Sequence, residues 1–211
     1  MSNLLQGIDA IVFDFGNVLI DLDYPGIISA FRRVAQKNQD NIEELITNAE
    51  ILQMFETGKI SPQKFRDEVS RILNVSLVDA EFDKIWNSML KSISKERMDR
   101  VLEIRKKYKT YLLSNSNIIH ELAFEEMVTD ATGTRGIRDF VDKAYFSHEI
   151  GMRKPDLACY NFIVDDIGLS PSRMLFLDDR LDNIAAARKA GMKAIQISQP
   201  DRQINEIFGF G

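Results

Sequence analysis

Residues 10–20, "AIVFDFGNVLI", decide the fold. Four small or apolar residues, Ala10 to Phe13, run into one carboxylate, Asp14; the chain passes through Phe15, Gly16 and Asn17 and becomes apolar again. A short apolar run of this kind, bounded by turn residues, reads as a strand buried on both faces, as in a parallel sheet. An acid at the end of such a strand needs a reason, and so does a glycine two positions later.

The same pattern recurs outward from this stretch. "IDAIVFD" (8–14), "TYLLSN" (110–115), "KAYFS" (143–147), "RMLFLDD" (173–179) and "KAIQIS" (193–198) all read as buried strands. Helical patterns lie between the later ones, at about 117–128, 156–167 and 181–190, and a helix at about 95–107 leads into the second strand. Strands alternating with helices predict an α/β fold with a mostly parallel sheet and helices on both faces. The dense basic run "RKKYK" (105–109) reads as the solvated end of a helix, where positive side chains suit the helix dipole.

Residues 22 to 92 break the rhythm, with no strand pattern. "YPGIISAFRRVAQK", "NIEELITNAEILQMFETG", "SPQKFRDEVSRIL" and "LVDAEFDKIWNSML" predict four amphipathic helices. Ser61 and Pro62 form an N-cap and first-turn pair, and Gly58 a stop after the second helix. The predicted division is a core of residues 1–21 and 93–211, with a helical cap, 22–92, inserted after the first strand. Phe55, Phe65 and Trp86 fall at apolar-periodic positions of the cap and read as packing residues.

A chain of 211 residues with 45% hydrophobic residues builds one large domain or a core with an insertion. A net charge of −5 with mixed signs offers no surface for nucleic acid or membrane. The single cysteine, Cys159, excludes an internal disulfide and reads as a buried thiol. Without a signal-peptide pattern or an apolar run of about 20 residues, a cytoplasmic protein is expected.

In an open parallel sheet, ligands bind beyond the carboxyl ends of the strands. Those ends carry Asp14, then Ser114 and Asn115, then Lys154 in "GMRKPD" after the third strand, then Asp178 and Asp179. Each has a plain structural alternative: a helix N-cap for the aspartates, a turn for Ser114–Asn115, a solvated lysine before a helix. Their joint order at successive strand ends favours one site. Clustered carboxylates repel unless a cation lies among them, and all-oxygen donors suit Mg²⁺. A metal, a lysine and a hydroxyl around one carboxylate describe a phosphoryl site, in which an aspartate can be a nucleophile.

These motifs resemble the haloacid dehalogenase superfamily of hydrolases. "VFDFGNVL", "LLSNSN", Lys154 in "GMRKPD" and "FLDDRLDN" match its four motifs in order, and the likeness covers nearly the whole chain. The resemblance implies a Rossmann-like core with a helical cap. It implies Asp14 as nucleophile, Ser114 and Asn115 with Lys154 at the phosphoryl group, and Asp14, Gly16, Asp178 and Asp179 around Mg²⁺. The implied activity is phosphatase action on a small phosphorylated metabolite, such as a sugar phosphate, through an aspartyl-phosphate. "DFGNVLIDLD", "SNSN", "GMRKP" and "DDRLDN" look closest to the bacterial branch that includes α-D-glucose-1-phosphate phosphatases. A 2-haloacid dehalogenase and a non-catalytic phosphate-binding protein are the alternatives; the acidic pair argues against the first, because halide displacement needs no metal.

Gly16 departs from the family pattern. Family phosphatases usually carry a second Asp two residues after the nucleophile, as general acid and base. Gly16 keeps the backbone carbonyl but has no proton to give. The readings are an acidic leaving group such as an anomeric or acyl phosphate, a replacement donor among Asp21, Asp23 and His120, or loss of catalysis. Asp21 and Asp23 read as a polar turn into the cap, and His120 and His148 as surface or capping residues.

Overall fold

The computed structural model describes residues 4–47 and 49–210. In chain order its elements are β1 (Ala10–Phe13), β2 (Ile20–Leu22), α1 (Tyr24–Val34), α2 (Ile42–Thr47), α3 (Glu50–Glu56), α4 (Pro62–Leu73), α5 (Asp79–Asn87), β3 (Leu90–Ile93) and α6 (Lys95–Arg105). They continue with β4 (Lys109–Ser114), α7 (Ile118–Thr132), β5 (Lys143–Phe146), α8 (Ser147–Ile150), α9 (Leu157–Ile167), β6 (Met174–Asp178), α10 (Leu181–Lys189), β7 (Lys193–Gln196) and α11 (Pro200–Phe208).

Five strands form a parallel sheet in the order β5-β4-β1-β6-β7. Because side chains alternate along a strand, each strand feeds two cores. Ile11 and Phe13 of β1, Leu112 of β4 and Leu175 and Leu177 of β6 face one cluster, with α6, α7 and α11. Ala10 and Val12, Leu113, and Met174 and Phe176 face the other, with α9 and α10. Both faces are thus covered, which is why these strands read as continuous apolar runs. Cys159 lies in the second cluster at 1% exposure, a buried thiol as expected.

The helical segment between β2 and β3 has its own core. Phe31, Phe55, Phe65, Phe82 and Trp86 pack together, with Phe55 and Phe65 stacked at 4.2 Å and Trp86 edge-on to Phe65 at 4.8 Å. Ser61 caps α4 as expected, its Oγ accepting from the Lys64 N–H at 3.2 Å. Gly58, just past α3, has φ 67°, and a side chain there would run into the His148 main chain; only glycine suits both the conformation and the approach.

Two expectations for this segment need correction. The second helix is two: Ala49, at ψ 145°, is extended and separates α2 from α3. The 22–92 interval is also not free of strand, because Leu22 and Leu90 to Ser92 belong to an antiparallel ribbon, β2 with β3. A three- or four-residue strand has no readable period, and these partners lie about 70 residues apart in the chain. The ribbon brings both ends of the helical segment back together over the carboxyl edge of the sheet.

Candidate active site

β1 sits at the centre of the sheet, and the chain leaves it for β4 on one side and reaches β6 on the other. A crevice opens at such a switch point. Asp14 follows β1, Ser114 ends β4, and Asp178 ends β6, so one edge gathers them.

Asp14 is 7% exposed. Its Oδ1 accepts from the Phe15 N–H at 2.7 Å and contacts Lys154 Nζ at 2.7 Å, while no described residue donates to Oδ2. Lys154, 2% exposed, also donates to Asp178 Oδ2 at 2.7 Å. Burial works against the lysine's charge, but the Asp14 and Asp178 carboxylates outweigh it and hold its pKa above the usual range. Burial pushes Asp14 up to about 7; Lys154 opposes this, and Asp178 and Asp179 add to it.

The two acids of the pair have different surroundings. Asp178 is fully buried, and its oxygens also accept from Asn183 Nδ2 at 2.9 Å and from the Arg180 N–H at 2.8 Å. Asp179 lines the cleft and accepts from Asn17 Nδ2 at 3.0 Å. Burial, with the neighbouring Asp178, raises its pKa. Asn17 holds a left-handed conformation, φ 54°, which asparagine tolerates, and its Oδ1 accepts from the Leu22 N–H at 3.1 Å. One side chain thus ties the turn after Asp14 to both β2 and β6.

The donor set fits a divalent ion. Ligand atoms of Asp14, Asp178 and Asp179 lie within 4.8 Å of one another. Three carboxylates against the single ammonium that bridges Asp14 and Asp178 leave two negative charges. Hard oxygen donors with that balance suit Mg²⁺.

Ser114 is buried at the cleft floor. Asn115 works chiefly on Lys154: its Nδ2 donates to the Lys154 carbonyl, and its Oδ1 accepts from the Lys154 N–H, each at 2.8 Å. Gly16 lines the cleft outside the left-handed region, and a Cβ there would lie 2.7 Å from Leu22 Cδ1. The cleft holds about 560 Å³ between the sheet edge and residues of α1, α2, α3 and α5, Trp86 among them.

The possible replacement donors separate clearly. Asp21 is bound to Arg97 Nη1 at 3.0 Å and to the Ser92 hydroxyl at 2.8 Å, and Asp23 caps α1 through the Gly26 N–H at 2.9 Å; neither lines the cleft. His120 does line it, and its expected surface or capping place is corrected: it is 5% exposed. It stacks on Trp86 at 5.1 Å, with Nε2 3.2 Å from the Trp86 carbonyl and Nδ1 3.2 Å from Asn117 Nδ2. Burial pushes its pKa down to about 4. His148 is likewise no surface residue, being held between the Ser116 carbonyl and Glu121. Sequence reading missed Asn17, Asn183 and Glu56; Asn17 and Asn183 lie inside the quoted motifs, but only the fold shows what they hold.

Comparison with known proteins agrees with this geometry. Residues 8–191 match the family profile of haloacid dehalogenase-like hydrolases. The chain is 29% identical, over 88% of its length and 90% of the relative's, to D-ribitol-5-phosphate phosphatase of Bacteroides thetaiotaomicron. A crystal structure of a haloacid dehalogenase (HAD) family enzyme from that organism, in complex with magnesium and inorganic phosphate, superposes with a TM-score of 0.83 at 30% identity, covering 90% of this chain and 93% of that one. A predicted HAD-like hydrolase from Porphyromonas gingivalis gives 0.86 at 30% identity, covering 96% and 97%. The chain belongs to the haloacid dehalogenase-like hydrolase family, on its phosphoric monoester hydrolase side.

Proposed function

We propose that the protein is a Mg²⁺-dependent phosphatase that cleaves a small phosphorylated metabolite, such as a sugar phosphate, through an aspartyl-phosphate. The carrying observation is the state of Asp14: Oδ1 is held by two donors, and Oδ2 receives none. In this reading Oδ2 attacks phosphorus, the aspartyl O–P bond forms, and the ester P–O bond breaks with its electron pair leaving on the ester oxygen. Water then hydrolyses the acyl phosphate and frees Asp14. Lys154 and the Ser114 hydroxyl hold phosphoryl oxygens, and Asn115 keeps Lys154 in place. Asp14, the Gly16 carbonyl, Asp178 and Asp179 would hold Mg²⁺, which supplies charge neutralisation when bound.

The core, residues 1–21 and 93–211, carries this chemistry in our reading, and residues 22–92 close over it. With no acid at Gly16 and none supplied by Asp21, Asp23 or His120, the leaving group departs with little protonic help. Turnover therefore rises with leaving-group acidity, favouring anomeric phosphates over simple alkyl esters.

The test is phosphate release from sugar, polyol, acyl, nucleotide and aryl phosphates, with and without Mg²⁺, by the wild type and by Asp14→Asn. Mg²⁺-dependent release that falls to background in the nearly isosteric variant is expected. No release from any ester would leave a phosphate-binding protein instead, and substantial turnover by a clean Asp14→Asn preparation would remove Asp14 as nucleophile.

A further inference from the structure

The cleft contains a second charged pair, which the reaction above does not use. Glu56, at the end of α3, meets Arg153, the residue before Lys154, with Oε2 and Nη2 2.9 Å apart. Both side chains line the cleft and are largely buried, at 14% and 19% exposure. The contact lacks hydrogen-bond alignment: Glu56 Oε2 and Arg153 Nε are both buried without a hydrogen-bond partner. Burial raises the Glu56 pKa, and Arg153 opposes that rise.

Buried ion pairs contribute little net stability, and unsatisfied polar atoms carry a desolvation cost. Such a cost is explained where a ligand supplies the missing partners. A carboxylate only accepts and a guanidinium only donates, so the two together suit a group that does both. Hydroxyls are that group. Lys154 lines the same cleft and its charge acts on Glu56, so the pair faces the space beside a phosphate ester held at Lys154.

We infer that Glu56 and Arg153 form a hydroxyl-recognising subsite that selects phosphate esters of polyhydroxylated metabolites over esters without hydroxyls. This inference rests on the phosphatase reading. A site built to bond a hydroxyl discriminates strongly against an analogue that lacks it, because its buried polar groups stay unpaired.

The experiment compares kcat and KM on a hexose 1-phosphate and on phenyl phosphate, with Mg²⁺, for wild type, Glu56→Ala and Glu56→Gln, with thermal melts of all three. Glu56→Ala is expected to lower kcat/KM on the sugar phosphate about 10- to 100-fold, mainly through KM. The loss on phenyl phosphate should be at least tenfold smaller, and Glu56→Gln should recover part of the difference. Parallel losses on both esters would show a structural latch and overturn the subsite, as would an unchanged ratio in a well-folded variant. Wild-type protein that cleaves both esters with a KM for the sugar ester no lower than that for phenyl phosphate would overturn the subsite alone; wild type that cleaves neither overturns the phosphatase reading and this inference with it.

Discussion

Gly16→Asp restores the side chain that family phosphatases carry two residues after the nucleophile. The backbone accepts it, because Gly16 lies outside the left-handed region. The obstacle is Leu22, whose Cδ1 would be 2.7 Å from the new Cβ while its Cγ stays at 3.6 Å. Only the tip of a flexible side chain must move, so the substitution costs about 1–3 kcal/mol of stability, and Leu22→Ala in the same chain relieves it. A positioned general acid contributes about 10²–10⁴ in rate, or roughly 3–5 kcal/mol of barrier. That gain falls on poor leaving groups and fades on good ones, since departure without an acid leaves negative charge on the ester oxygen. The assay is kcat/KM across aryl and alkyl phosphates of graded leaving-group pKa, after circular dichroism has verified folding. Wild type should show a steep dependence, and Gly16→Asp or Gly16→Asp with Leu22→Ala a flatter one. A shallow dependence in wild type would refute the reasoning, because a donor would already be present.

Two further outcomes follow from the site and from the helical segment. Asp14 carries a pKa raised to about 7 in the folded chain, from 3.8, so its contribution to metal-free stability is full below about pH 4 and is lost as pH rises through about 7, on the order of a few kcal/mol. Mg²⁺ competes with that proton, so the rise in Tm on adding Mg²⁺ should be larger at pH 8 than at pH 5; an equal rise would argue that the ion does not meet Asp14. Trp86→Ala should cost about 3–5 kcal/mol in urea unfolding, because the ring is 1% exposed among Phe31, Phe65, Phe82 and His120. A loss below about 1 kcal/mol would contradict that packing.

The sequence by itself determined the parallel sheet and the roster of its strand-end groups. Ala10–Phe13 and Met174–Leu177 are apolar throughout because both faces of the sheet are covered, and that burial is written directly into composition. Asp14, Ser114, Lys154, Asp178 and Asp179 were legible for a related reason, since each follows a strand that can be read. Tertiary structure decided what depends on partners distant in the chain. The β2–β3 ribbon joins segments with no local period, and the helix break falls at Ala49, a residue type that carries no stop signal in sequence. His120 resembles a helix-start residue in sequence, yet it is buried because Trp86, from the helical segment, stacks on it. Asn115, Asn17 and Asn183 matter through what they hold, Lys154 in one case and the acidic pair in the others. Glu56 and Arg153 are separated by nearly half the chain, and only the closure of α3 over the sheet edge brings carboxylate and guanidinium together in one cleft.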